Sequence, residues 1–305
     1  DTNYIVSSLF WEEFNKHMSI KRVKISEVDI HKFDDVIDVR SPLEYEVDHI
    51  PGSINLPVLS DKEREMIGTI YKQRSKFEAK KLGASIVSKN ISEHLKKYTY
   101  EKNRDWLPLI YCWRGGQRSY ALATIFDQIG WNVEVVDGGY KSYRKHINEF
   151  LSRDIENYFL ILLTGNTGTA KTKILKLMEE RNGQTIDLES LANHKGSVFG
   201  SQGQKQPSQK LFETLIYHKL INLKTDEPIF VEAESNKIGN LHIPKELWKL
   251  MKSSPQIELS ATIEQRAQFL IKEYSEITTD LVLLEKQITS LSTIVGHKVI
   301  ESWLK

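Results

Sequence analysis

Leu107-Pro-Leu-Ile-Tyr-Cys-Trp-Arg-Gly-Gly-Gln-Arg-Ser119 is an apolar run that ends abruptly in a cysteine, two glycines and two arginines. Its first five residues have the length and composition of a strand buried on both faces. Beyond it, Leu122, Ile125, Phe126 and Ile129 recur at helical spacing up to Gly130, a residue suited to a helix C-terminus. The predicted order is strand, loop, helix, with the loop at the strand's carboxyl end. Cys112 is the sole cysteine in 305 residues, so it closes no intrachain disulfide. A thiol placed there gains from ionisation, because N–H groups at a helix start and nearby guanidinium groups both stabilise a thiolate. Gly115 and Gly116 let successive N–H groups turn inward, and Arg118 and Ser119 open the helix. The stretch therefore predicts an anion-binding cup around a reactive thiol. The plainer alternative is a buried cysteine serving as a small apolar side chain.

The same grammar extends outward. Val36-Ile-Asp-Val39 reads as a strand, followed by Arg40-Ser-Pro42 and a turn at Pro51-Gly52. Val133 to Val136 reads as another, closed by Gly138-Gly139, and the charged stretch from Lys141 to Asp154 as a connecting helix. The second half restarts with the apolar run Tyr158 to Leu163, a glycine loop, and a helix from about Lys171. Strand-like runs return at Gln184 to Leu188, Ile229 to Glu232 and Ile257 to Ser260, and Glu264 to Lys305 is mostly helical by pattern, its charges forming a solvated face. Strands separated by helix-length intervals predict an α/β protein with mostly parallel sheets covered on both faces. Two domains are expected, 1–150 and 151–305, the first with an N-terminal extension and the second cut short at its C-terminus.

Composition sets outer limits. Lys and Arg number 42 against 41 Asp and Glu, so no global charge excess announces a nucleic-acid partner, and local patches must supply one. No apolar run approaches the roughly 18 residues that span a bilayer, and a cytoplasmic location without membrane attachment is expected. The sequence opens on Asp1 without a methionine or a signal-like segment, which suggests a trimmed chain.

A second phosphate cradle lies at Gly165, Asn166, Thr167, Gly168, Thr169, Ala170, Lys171 and Thr172. It follows a strand and opens a helix, the context in which backbone N–H groups cup phosphates, a lysine adds positive charge and a hydroxyl reaches a metal ion. Ala170 stands where the last glycine of such loops is expected, adding a Cβ close to the ligand. Glu232 and Glu234, at the end of an apolar strand, are placed to meet a phosphate-bound Mg2+. Asp187 closes another strand, and His194 begins a loop that continues to Gln206-Pro-Ser-Gln209 and is expected to lie over the cradle. Glu232 and Glu234 are equally readable as surface carboxylates, and a lone histidine in a loop is more often a surface group than a catalyst.

The spacing of cysteine, five residues, arginine and serine is shared by cysteine phosphatases and rhodanese-type sulfurtransferases, and loop length alone favours the phosphatase. Asp38-Val-Arg40, His49-Ile-Pro-Gly52 and Asp137-Gly-Gly139 resemble a rhodanese domain. With the phosphate loop downstream, the chain from Val36 to Tyr274 resembles the tRNA 2-selenouridine synthase family. The resemblance is carried by Leu59-Ser-Asp61, Tyr71-Lys-Gln73, Lys80-Lys-Leu-Gly83, the cysteine loop, Gly138-Gly-Tyr-Lys141, Leu191-Ala-Asn-His194, Gln206-Pro-Ser-Gln209 and Val231-Glu-Ala-Glu-Ser235. It implies an enzyme that replaces sulfur by selenium in wobble 2-thiouridine of tRNA. Geranyl diphosphate and selenophosphate are the implied co-substrates, and S-geranyl-2-thiouridine the implied intermediate. Cys112 then carries the chalcogen, Arg118, Ser119 and the Gly115-Gly116 backbone hold the selenophosphate-derived anion, and the second loop grips the prenyl diphosphate. Lys72, Arg74, Lys80, Lys81, Lys141, Arg144 and Lys145 are basic groups available to tRNA. Two other readings stand beside this one: a phosphatase or sulfurtransferase with a nucleotide-binding regulatory domain, and a non-catalytic tRNA-binding protein.

Overall fold

The computed structural model describes residues 20–194, 205–233, 235–273, 281–292 and 296–304. The chain divides into two compact units, the first ending at Glu149 and the second starting at Phe150.

In the first unit, β1 (Lys21–Val23), β2 (Asp35–Asp38), β3 (Ile54–Asn55), β4 (Pro108–Tyr111) and β5 (Glu134–Val136) form a parallel sheet in the order β1-β5-β4-β2-β3. β4 is buried at every position, as its unbroken apolar run requires of a central strand. The α-helices that begin in this unit are α1 (Pro42–Val47), α2 (Asp61–Gln73), α3 (Lys76–His94), α4 (Gln117–Ile129) and α5 (Gly139–Arg153). Ile37, Ile110, Leu122, Phe126 and Val135 are fully enclosed between sheet and helices, with Trp106 and Trp131 at one end. The two indoles pack edge to face at 5.0 Å, and each N–H is satisfied, Trp106 by Asp35 and Trp131 by the Asn103 carbonyl, both at 2.7 Å.

The pairs Asp38↔Tyr111 and Ile110↔Val135 align the carboxyl ends of β2, β4 and β5. The segments that follow these strands therefore meet at one edge of the sheet. The hairpin α2–α3 separates β3 from β4, and Ser60 and Ser75 cap its helices by accepting from the Glu63 and Glu78 amides.

In the second unit, β6 (Leu160–Thr164), β7 (Gln184–Ile186), β8 (Ile229–Glu232) and β11 (Gln256–Glu258) form a parallel sheet in the order β11-β6-β8-β7. A small antiparallel pair, β9 (Lys237–Ile238) and β10 (Leu241–His242), lies between β8 and β11 in sequence. Its described α-helices are α6 (Lys171–Glu180), α7 (Leu188–Leu191), α8 (Gln209–Ile221), α9 (Lys245–Ser253), α10 (Ile263–Glu273), α11 (Leu281–Ser290) and α12 (His297–Trp303). Leu188, expected to end a strand, instead begins α7, because Asp187 turns and caps the helix by accepting from the Ser190 amide at 2.8 Å. The last strand lies at 256–258 rather than from Ile257 to Ser260, since Thr262 starts a helical turn. Among the described residues no helix is long and apolar enough to cross a membrane.

Candidate functional site

Cys112 leaves the carboxyl end of β4 and is only 3% exposed. Its Sγ accepts from the Gly116 amide at 3.3 Å and lies 3.3 Å from Ser119 Oγ. Burial pushes the thiol pKa up. Hydrogen bonds from the Ser119 hydroxyl and from the amides of Gly116, Arg114 and Ser119 outweigh it, and the thiol ends below its ordinary value. The Ser119 hydroxyl has a second contact, the Gly116 carbonyl at 2.9 Å. Cys112, Gly116 and Ser119 are thus brought together, with the amides of Arg114, Gly116 and Ser119 turned to the sulfur and Gly115, at φ +61°, turning the loop between them.

The cup is held from below by the turn after β5. The amides of Tyr140 and Lys141 donate to the carbonyls of Cys112 and Trp113 at 2.8 and 3.0 Å. Gly139, at φ +57°, passes so close that a Cβ there would stand 2.2 Å from the Cys112 carbonyl oxygen. Tyr140 also donates its hydroxyl to Asp48 at 2.7 Å, and the Arg40 guanidinium lies over its ring at 4.0 Å. Arg40, 1% exposed, donates through two nitrogens to Asp38 at 2.6–3.0 Å and to the Asp48 carbonyl at 2.6 Å. This buried pair explains the Asp38-Val-Arg40 motif: a charge enclosed under the loop must be matched on every side. Arg144 belongs to the same cluster, 3.7 Å from Asp48, which makes it a structural group rather than an exposed basic one.

Arg118 is placed at the start of α4, where the sequence put it, but its guanidinium is engaged by Glu44 at 2.7 Å. Arg64 of α2 meets the same carboxylate at 2.9 Å. Burial raises the Glu44 pKa, and the hydrogen bond and charge of Arg118 together with the charge of Arg64 bring it below the usual carboxylate value. Glu44 and Arg64 escaped sequence reasoning. The visible signal was Ser41-Pro-Leu-Glu44, a helix-capping pattern in which Glu44 accepts from the Ser41 amide, with nothing to show that the carboxylate also reaches two arginines.

In the second unit the loop from Gly165 to Thr172 joins β6 to α6. The amide and hydroxyl of Thr169 turn back to the Asn166 carbonyl at 3.2 and 2.9 Å, and Lys171 Nζ donates to the Gly165 carbonyl at 2.9 Å. Thr172 follows in the first turn of α6. Gly165 and Gly168 have φ of +142° and +88°, and Ala170 has φ +64°. Ala170 therefore keeps the left-handed backbone of a glycine while carrying a Cβ. Arg266 of α10 donates to the Thr167 carbonyl at 2.8 Å, bringing to this loop a second cation that the sequence did not announce.

Leu163 lies opposite Glu232, and the Ala233 amide donates to the Leu163 carbonyl, so Glu232 ends β8 beside the loop. It is 1% exposed. The chain leaves β6 toward β7 and leaves β8 toward β11, in opposite directions along the sheet. The crevice outside their carboxyl ends is therefore a topological switch point, where α/β sheets take ligands. Asp187 ends β7, the strand beyond β8, with its side chain used as a cap. His194 closes a turn against the Glu189 carbonyl, and its Nδ1 is enclosed without a hydrogen-bond partner among the described residues. Glu234 and the loop residues 195–204 lie outside the described residues. Gln206 and Gln209 act on the β9–β10 pair: Gln206 holds Ala192, Ile238 and Asn240, and Gln209 exchanges two bonds with His242.

A thiolate cup on one parallel sheet and a phosphate loop at the switch point of another define a two-domain protein of rhodanese-like and P-loop type. Family models match accordingly: a rhodanese-like domain over residues 21–146 and a tRNA 2-selenouridine synthase AAA domain over residues 158–292. The chain is 32% identical to a tRNA 2-selenouridine synthase of Psychromonas ingrahamii, the match covering 88% of this chain and 72% of that protein. It is 36% identical to the enzyme of the same name from Alcanivorax borkumensis, covering 78% of this chain and 66% of the relative. Among solved structures, the N-terminal domain of a Clostridium difficile 630 protein named for ATP or GTP binding is 38% identical. That match covers 42% of this chain and 98% of the other, at TM-score 0.36. The chain belongs to the tRNA 2-selenouridine synthase family.

Proposed function

We propose that this chain replaces sulfur by selenium in wobble 2-thiouridine of tRNA by way of S-geranyl-2-thiouridine, with geranyl diphosphate and selenophosphate as co-substrates. The observation that carries the reading is the presence, in one chain of this family, of an ionisable thiol under inward-turned amides and a separate lysine-bearing phosphate loop. Two kinds of phosphorylated donor call for two such cups.

The first step alkylates the 2-thio sulfur: a C–S bond forms at C1 of the geranyl group, the C–O bond breaks, and diphosphate leaves. Gly165 to Thr172 hold that diphosphate, with Lys171 exchanging its bond to the Gly165 carbonyl for the leaving group's charge. Thr172, Glu232 and the donor's phosphates form a set suited to Mg2+, a cation that takes one or two carboxylates plus phosphate oxygens. When bound, it neutralises charge on the leaving diphosphate. In the second step selenium takes the place of sulfur at C2, and the geranyl group departs as a neutral thiol, a far better leaving group than a ring thiocarbonyl. The selenium of selenophosphate attacks C2 as the C2–S bond breaks, and the Cys112 thiolate then takes the phosphoryl group as the P–Se bond breaks, water releasing it as phosphate. The amides of Gly115 and Gly116, the Ser119 hydroxyl and Arg118 hold the selenophosphate-derived anion, Arg118 turning from Glu44 to do so.

Mass spectrometry of nucleosides from 2-thiouridine tRNA incubated with the protein and both donors tests the scheme. Wild type is expected to yield 2-selenouridine, Cys112→Ser only the geranylated nucleoside, and Lys171→Ala no geranylated product. Rapid phosphate-ester hydrolysis without any tRNA product would instead favour the phosphatase that the five-residue spacing between Cys112 and Arg118 also suits.

A further inference from the structure

We propose that the exposed turn of the α2–α3 hairpin is an RNA-docking surface that binds an unpaired tRNA strand and leads it toward the thiol loop. This deepens the function proposed above and rests on it.

Between Tyr71 and Lys81 stand Lys72, Arg74, Lys76, Lys80 and Lys81 against one acidic residue, Glu78. That is a concentrated positive patch in a chain whose total charge is nearly balanced. Among the described residues none of the five cations enters a salt bridge, whereas Lys21, Lys24, Lys32 and Lys102 of the same unit all do. Two rings stand among them. Phe77 is 72% exposed and Tyr71 46% exposed, the ammonium of Lys81 lying 6.0 Å from the Phe77 ring centre and that of Lys76 5.8 Å from the Tyr71 ring. Exposed aromatic rings interleaved with unpaired cations match the chemistry of single-stranded RNA. Bases stack on the rings and phosphates meet the ammonium groups.

The position of the hairpin supplies the second argument. The other end of α2 carries Arg64, which shares the Glu44 carboxylate with Arg118 of the thiol loop. From Arg64 to Tyr71 the helix rises about 10 Å. A strand lying on Tyr71 and Phe77 is therefore held within a short reach of the arginine beside Cys112. Chemistry on a base requires that base to leave its stack, and a platform that takes up neighbouring bases favours the splayed form. The occupant is a looped, unpaired stretch of tRNA, not duplex RNA, whose stacked bases offer no faces to Tyr71 and Phe77.

The test measures binding of the full-length protein to an in vitro tRNA transcript by fluorescence anisotropy across a range of salt concentrations, with Cys112 alkylation and thermal unfolding as controls of the fold. The variants are Tyr71→Ala/Phe77→Ala and Lys80→Glu/Lys81→Glu. Both leave the Cys112 loop and the Gly165–Thr172 loop untouched. The ring variant is expected to weaken binding about tenfold or more at every salt concentration. The charge variant is expected to weaken it and to flatten the salt dependence by roughly 0.7 for each phosphate that is no longer neutralised. Wild-type affinity and salt slope in both variants, with wild-type protein binding tRNA, would overturn the docking surface and leave the proposed function standing. Loss of self-association in sedimentation with tRNA affinity unchanged would reassign the hairpin to protein contact. Failure of the wild-type protein to bind tRNA would sink both readings.

Discussion

The amide of Tyr140 donates to the carbonyl of Cys112 at 2.8 Å, joining the turn after β5 to the first residue of the thiol loop. Through the Tyr140 hydroxyl and ring the same residue reaches Asp48 and Arg40, so a buried charge cluster positions the loop whose amides stabilise the thiolate.

Gly139→Ala tests that coupling. The new Cβ meets the Cys112 carbonyl oxygen at 2.2 Å and forces an alanine to φ +57°. The backbone conformation alone costs about 1–2 kcal/mol, and the clash adds to it. Denaturant unfolding is expected to show the loss, together with slower alkylation of Cys112 because the amides no longer converge on Sγ.

Ser119→Ala removes the hydroxyl 3.3 Å from Sγ. The thiol pKa then moves back toward its ordinary value, and the pH profile of alkylation shifts to higher pH. A folded-state pKa below the unfolded one contributes stability above the unfolded thiol pKa, and that contribution is lost as pH falls through the folded value. The variant lacks part of it in alkaline solution. Selenium transfer is expected to fall roughly tenfold, the worth of one hydrogen bond of about 1.4 kcal/mol.

Ala170→Gly acts in the opposite direction. Glycine adopts φ +64° without the Cβ penalty, and the substitution is expected to stabilise the second unit by up to about 1 kcal/mol, net of the added freedom of the unfolded chain. Thermal unfolding reads the gain, and titration with inorganic pyrophosphate reads whether the ligand approaches more closely without the methyl group.

Lys171→Ala is expected to lower pyrophosphate affinity by about tenfold or more, with Arg266→Ala, whose guanidinium sits on the Thr167 carbonyl, giving a smaller loss. Cys112 alkylation stays at the wild-type rate in both. A parallel loss of thiol reactivity would contradict separate cups.

Glu44→Gln leaves Arg118 and Arg64 without their shared anion. Because the carboxylate has a lowered folded-state pKa, it stabilises the fold above the unfolded value near 4.3 and loses that contribution as pH falls through the folded value. The variant is expected to be about 1–2 kcal/mol less stable at pH 7. The two unfolding curves should converge in acid.

Local pattern carried far here because each loop of the site is continuous in sequence. The strand ending at Tyr111 and the helix after Gly116 were legible from periodicity, as were β8, which spans Ile229–Glu232 as expected, and the helix starting at Lys171. β1 and β3 were not, being three and two residues long, too short to show alternation. Their strand identity comes from pairing with β5 and β2. The hairpin α2–α3 went unplaced because its exposed aromatic and basic residues blur the apolar stripe by which a helix is recognised.

Both loops follow from local sequence, since a glycine pair after a strand and a lysine at the start of a helix set their backbone turns from adjacent residues. Which side chains those cups work with was decided only by the tertiary structure. Glu44 reaches Arg118 across 74 residues and Arg266 reaches Thr167 across 99. Such contacts arise when parallel strands bring their carboxyl ends to one edge of a sheet, and no local rule of spacing encodes a meeting between segments so far apart in the chain.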